Sequence, residues 1–436
     1  MRISFLALAL LLTGLCPAYA QFAKNEAAIQ EVANGTRDTA TAGWWGFSPE
    51  DSTEALQAAI DSKAARVIVP YMGADWIVRP LRLRSNLELI FEPGVVVMAK
   101  KDEFQGPGDS LFDGDSLENV KLTGYGATLR MRKQDYAAAP YKKGEWRMAI
   151  NLGGCRNVLI KGLRLESSGG DGIYLGVGRG DKPYCENVEI RDVVCHDNYR
   201  QGISVISAVN LLIENCVMSG TGGTAPEAGI DFEPNQPNEK LQNCVVRNCQ
   251  FENNEGAGIL VYLKPMDKTT EPVSLTFENC HVRGGNDAGI GIGAVKEDGP
   301  GGLIEFRNCT VENTQKCGAF IYDKSVDSAE VRFVDCKWGN VGLGKRSGDS
   351  GPFPPILISQ MRKGVTPQQG AITFDNCAVF DSVDRPVVEI EEAQGDKGIA
   401  KFAGTITLFG SHEPRIKTAN PIEGLKLLPG SSTPLP

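Results

Sequence analysis

Gly169-Gly-Asp-Gly-Ile-Tyr-Leu175 is followed by Tyr199-Arg-Gln-Gly-Ile-Ser-Val205, Pro226-Glu-Ala-Gly-Ile-Asp-Phe232 and Glu255-Gly-Ala-Gly-Ile-Leu-Val261. The phrase returns as Asn286-Asp-Ala-Gly-Ile-Gly-Ile292 and, degraded, as Gln315-Lys-Cys-Gly-Ala-Phe-Ile321. Its glycines are spaced 30, 27, 29, 31 and 29 residues apart. A period near 29 held over six copies marks a repeat architecture, in which each unit buries its apolar face against its neighbours.

Other columns keep the same period. Asn119-Val-Lys-Leu, Asn157-Val-Leu-Ile, Asn187-Val-Glu-Ile, Asn210-Leu-Leu-Ile and Asn243-Cys-Val-Val read as one strand seen in successive turns. A second strand follows each within a few residues, and the Gly-Ile phrase supplies a third. Three short strands per turn predict an all-β fold, a single right-handed parallel β-helix. Roughly twelve coils fit between residues 65 and 410, a rod ~55 Å long at ~4.8 Å per coil. The asparagines are expected to stack as a ladder at a bend, each amide serving its neighbour's backbone.

One cysteine per repeat, each in an Asn-Cys or Asp-Cys context, forms another column: Cys216, Cys249, Cys280, Cys309, Cys336 and Cys377. Such regular placement predicts buried free thiols rather than disulfides. No CxxC pair or histidine cluster points to a metal.

The ends and linkers divide the chain. Residues 1–20 read as a Sec signal peptide, an apolar run from Ile3 to Leu12 followed by an Ala-x-Ala site. The protein is therefore expected to be secreted or periplasmic. Residues 21–62 form an N-terminal segment ending in a capping helix over 52–62, with Asp51-Ser-Thr-Glu54 as its capping box. The β-helix is placed at 63–410, with a loop over 338–367 extruded from a late coil and a weakly structured tail over 411–436. No later run is apolar enough to span a bilayer. The net charge of −9 without a basic block argues against nucleic acid as a partner. A monomer is expected.

Helix, Val-Ile-Val-Pro70, Ser85-Asn-Leu-Glu-Leu89 and the Asn-Val-x-Ile series in that order resemble the pectin-lyase-like superfamily, and within it the polygalacturonase family of glycoside hydrolases. The resemblance covers most of 50–265. It implies a β-helix acting on polysaccharide. Gly169-Gly-Asp171-Gly is similar to the family's Gly-Asp-Asp signature with one aspartate missing. Arg200-Gln201-Gly202 is similar to its Gly-His-Gly signature, with Gln201 in the histidine place. Asn-Thr-Asp is absent, and Arg415-Ile-Lys417 lies far past the relevant coils.

In each Gly-Ile strand the residues one and three after the glycine are apolar and face inward, so those two and four after it face outward. The third copy thereby presents Asp231 and Glu233, taken as the one coil with acids at both outward positions. Their carboxyls are expected ~5–9 Å apart, a range covering retaining and inverting glycosidases. Iota-carrageenases are similar in placing a Glu and an Asp two apart on a β-helix strand. Both acids are read as standing at the surface, where neutralising either costs little stability. Asp171 at the bend before its strand is the third catalytic candidate. Arg200 and Glu227 are expected to pair at the groove rim. Tyr174 and Tyr262 are candidate sugar platforms, and His196 and Gln201 complete the substrate-binding set. The leading expectation is an exported glycoside hydrolase with a polysaccharide or oligosaccharide substrate and no cofactor. The alternatives are a lyase or uronate epimerase using Arg200 as base, often with Ca²⁺ in such enzymes, and a non-catalytic carbohydrate-binding solenoid.

Overall fold

The computed structural model describes residues 23–346, 351–362, 368–392 and 398–430. The signal-peptide reading of residues 1–20 lies outside the described residues. Every pairing between named strands is parallel, and the strands wind into a solenoid with three faces per coil. The Gly-Ile face is a sheet of twelve strands running from Leu81–Arg82 to Ile416–Lys417. The other two faces join around a bend into one continuous array of 22 strands. In Arg156–Glu166 a single strand turns that corner at Gly162, which has φ 72°. Among the described residues no helix is long and apolar enough to cross a membrane.

The repeat phrase has a direct physical cause. Ile150, Ile173, Ile203, Ile230, Ile259 and Ile290 stand in register and stack inside the solenoid, fully buried. From Ile173 onward the glycine before each of these isoleucines is forced by close approach between coils. A Cβ on Gly172 would lie 2.6 Å from the Gly202 carbonyl, and one on Gly202 would lie 2.4 Å from that of Gly229.

The asparagine ladder forms, with one difference. Asn119, Asn157, Asn187, Asn210 and Asn243 each donate to the side-chain carbonyl of the previous rung, at 2.8–3.1 Å. They serve one another's side chains, not backbone. Each has φ between 51° and 58°, a left-handed bend that asparagine tolerates better than most residues. A second row, Asn248, Asn279 and Asn308, turns the chain the same way just before each cysteine. The eleven cysteines among the described residues are free and buried. Phe277, Phe306, Phe333 and Phe374 stack alongside, with ring centroids 4.6–5.1 Å apart.

Helix α1 (Glu26–Ala33), capped by Asn25, falls in a segment whose sequence showed no clear periodicity. Helix α2 (Thr53–Asp61) covers the N-terminal end and buries Leu56, Ala59 and Ile60. Its capping box does not form. Asp51 accepts from the Thr53 amide at 2.9 Å, while Glu54 is drawn away to Arg79 at 2.6 Å. Two boundaries also differ from expectation. Ile356–Ser359, inside the expected 338–367 loop, is a rung of the Gly-Ile sheet paired with Ala319–Tyr322. Ile416–Lys417 and Leu425–Pro429 pair onto preceding strands, so regular structure continues past residue 411. Both stretches lack the Gly-Ile phrase, which hid them.

Candidate functional site

The outward line of the Gly-Ile sheet reads Asn151, Tyr174, Ser204, Asp231, Leu260, Gly291 and Phe320, in register across neighbouring coils. Strand alternation fixes these directions, since inward isoleucines force the next residue out. Asp171 enters the same region from the bend before Ile173–Gly176. Arg200 arrives one coil later from the equivalent bend.

These residues converge on the Arg200 guanidinium. Its Nη2 donates to Glu233 Oε2 at 3.0 Å, Nη1 lies 3.9 Å from Asp171 Oδ2, and Nε lies 4.0 Å from Glu145 Oε1. Asp231 is covered rather than surface-borne: it is 0% exposed, as are Asp171, Gln201 and Ser204. Gln201 donates to Asp231 Oδ2 at 2.9 Å while its own carbonyl accepts from the Ala228 amide at 2.8 Å. Both Asp171 oxygens and Asp231 Oδ1 have no hydrogen-bond partner of good geometry.

Burial in this crowd shifts the acids. Desolvation pushes the Asp171 carboxyl up to about 7, against the pull of Arg200 and nearby Ser204. Asp231 is held well above the usual carboxylate range, first by burial and then by the like charge of Glu233. Burial works against the Arg200 charge, but Asp171, Glu233, Asp231 and Glu145 together raise its pKa. A buried carboxyl that holds its proton near neutral pH, beside an acid ion-paired to arginine, is an arrangement suited to general acid work.

Asp171, Asp231, Glu233 and Arg200 are thus brought together, but the expected Arg200–Glu227 pair is not. Glu227 accepts from the Gly223 amide at 2.6 Å and closes its own turn. Gln201 spends both ends of its amide on Asp231 and the Ala228 backbone, so it orients Asp231. The Tyr174 ring folds back over Gly176, where a Cβ would fall 2.3 Å from it. Tyr262 remains partly exposed, and its hydroxyl accepts from Arg362 at 3.0 Å. His196 ends a strand of the other array, with its ring bonded to Ser219 Oγ at 3.0 Å.

Asp231 and Glu233 are not the one outward acid pair of this sheet. Asp113 with Asp115 and Glu389 with Glu391 occupy equivalent positions. Those four were overlooked because their strands do not carry the Gly-Ile phrase. Sequence reasoning also missed Glu145, whose loop position signals nothing. Glu145 spans coils: its Oε2 accepts from Thr224 Oγ1 at 3.2 Å while Oε1 faces Arg200.

A family model described as "Right handed beta helix region" matches residues 143–292, which contain every member of this cluster. The fold is a right-handed β-helix. The A-module of the mannuronan C-5 epimerase AlgE4 from Azotobacter vinelandii superposes with a TM-score of 0.61 at 16% identity, over 89% of this chain and 99% of that one. The family 28 exopolygalacturonase of Yersinia enterocolitica gives 0.55 at 12% identity, over 90% and 78%. At such identities the likeness is one of fold. By sequence, the uncharacterized protein YclG of Bacillus subtilis is 29% identical over 206 residues, 42% of this chain. The match spans 35% of that relative's own length.

Proposed function

We propose that the protein is a polysaccharide-active enzyme, a glycoside hydrolase working at the Asp171–Asp231–Glu233 cluster. The observation that carries this reading is the pair of fully buried aspartates with unpartnered oxygens at the outer face of the sheet. Buried carboxyls with unfilled hydrogen-bonding capacity are costly, and such a cost is a mark of a functional site. The β-helix fold shared with an exopolygalacturonase and a mannuronan epimerase supports a carbohydrate substrate by analogy.

In this reading Asp171 carries the proton given to the departing glycosidic oxygen. Glu233, ion-paired to Arg200, is the base or nucleophile at the sugar carbon. Asp231, aimed by Gln201, shares its proton with Glu233 and sets that group's readiness. Such work contributes roughly 10²–10⁴-fold. A lyase using Arg200 as base fits less well, because surrounding carboxylates hold its proton more firmly. Export through the Sec pathway and a monomeric state belong to the same proposal.

The test is the purified protein on a glycan panel, read by new reducing ends and by ultraviolet absorbance. New reducing ends without absorbance are expected. Absorbance from an unsaturated uronate would replace hydrolysis by elimination. Retention of glycans with no turnover would replace catalysis by binding.

A further inference from the structure

Charge at the cluster carries a further inference, which rests on the hydrolase reading. Glu145, Asp171, Asp231 and Glu233 face one another across a single guanidinium, and Arg200 is the one basic residue in contact with them among the described residues. That guanidinium is surrounded: three of its nitrogens face Glu233, Asp171 and Glu145, and the side chain is only 14% exposed. Its one hydrogen bond goes to Glu233, and Asp171 and Glu145 hold the charge at ion-pair distance, so the acids around it outnumber it. The outward positions on the flanking coils, Asn151, Tyr174, Ser204 and Leu260, are all uncharged. A second cation, Arg362, forms no ion pair with these acids among the described residues; its guanidinium donates to the Tyr262 hydroxyl at 3.0 Å.

We propose that the sugar residue seated at the acid cluster is neutral or bears an amine, and carries neither a carboxylate nor a sulfate. A negative substituent would enter beside Glu233 and Glu145, where the acids outnumber the one arginine among them. Like-charge juxtaposition is how a site rejects the wrong partner. An ammonium or hydroxyl group instead meets carboxylate acceptors. Even if Asp171 and Asp231 both keep their protons, the two glutamates still outnumber the one arginine.

The experiment uses the whole protein and matched polymers. Polygalacturonate and polymannuronate are each compared with their carboxyl-reduced forms, and chitosan supplies the amine. Retention is measured by electrophoresis through gels containing each polymer, and kcat/KM by reducing ends. The neutral form of a series is expected to be favoured at least about tenfold over its uronate, with chitosan at least equal to the neutral forms. Glu145→Gln is expected to narrow the neutral-to-uronate ratio several-fold. A uronate bound or cleaved as well as its reduced form would overturn the inference while leaving the hydrolase reading standing. Retention of none of these polymers would also overturn it. The hydrolase reading fails separately, if turnover survives in Asp171→Asn and Asp231→Asn.

Discussion

Arg200 and Arg346 lie against acid pairs of the same sheet, Asp231 with Glu233 and Glu389 with Glu391. At the second pair every charge is met. Arg346 donates to Glu389 at 2.9 Å and also binds Glu391, Lys417 adds a bond to Glu389 at 2.7 Å, and Ser359 donates to Glu391 at 2.9 Å. Two carboxylates face two cations. At the first pair Asp171 and Glu145 join the acids, no second cation pairs with them among the described residues, and buried oxygens lack hydrogen bonds. Identical spacing on identical strands therefore yields a satisfied network in one place and a strained one in the other. A spacing motif locates acids, whereas the balance of surrounding charge decides whether they are poised for chemistry.

The largest expected contrast is in activity. Asp171→Asn and Asp231→Asn should each lower turnover by about 10²–10⁴-fold. Glu389→Gln and Glu391→Gln should leave it within about threefold, since loss of a structural ion pair away from the reacting atoms does not touch the transition state. Turnover on whichever glycan the panel identifies checks this. Equal losses at both pairs would erase the distinction.

Stability should respond in the opposite sense. Arg346→Met strips the buried Glu389 of its main partner and is expected to cost about 3–5 kcal/mol, as breaking buried pairs does. Asp171→Asn should stabilise above neutral pH. Its folded pKa is raised from 3.8 to about 7, so the group favours folding below pH 3.8 and that contribution is lost as pH rises through 7. Above that point the ionised, buried carboxylate costs up to about 4 kcal/mol, which the asparagine removes. Urea melts at about pH 8 and about pH 4 check both the size and the pH window. A variant that loses activity while gaining stability is the signature of a strained functional site. The expectation that neutralising Asp231 changes little is replaced as well, because Asp231 is not at the surface.

The fold was open to reading because its columns are one-residue rules repeated coil after coil. Gly172 and Gly202 are demanded by backbone approach, Asn157 and Asn187 by left-handed bends, and Cys249 and Cys280 by small interior volume. Each rule acts on local sequence, so each leaves a periodic trace. Residues at the cluster obey no such rule. Asp231 was found because it interrupts a column. Its burial depends on neighbouring coils and loops that alternation along one strand does not describe. Glu145 comes from a loop with no repeat to depart from, and Glu389 and Glu391 sit in a coil whose Gly-Ile phrase has eroded. What sequence could not convey was the tally of charges meeting across coils.

Lys417→Met tests that tally with the smallest perturbation. Lys417 is 60% exposed, so its bond to Glu389 is screened, and its loss should cost about 0.5–1 kcal/mol near neutral pH. The informative part is its pH dependence. Removing one cation leaves Glu389 and Glu391 sharing Arg346 alone, the first step toward the state of Asp231 and Glu233. The stability difference should be present at about pH 7 and vanish near about pH 2, below the usual carboxylate range. Added salt should shrink it further. Should the two proteins differ equally at both pH values, Lys417 acts through packing of its stem, and the count of cations is not what separates the two acid pairs. If the difference follows the carboxylates, the Glu389 pair can be driven toward the strained condition one charge at a time, with Arg346 as the remaining restraint.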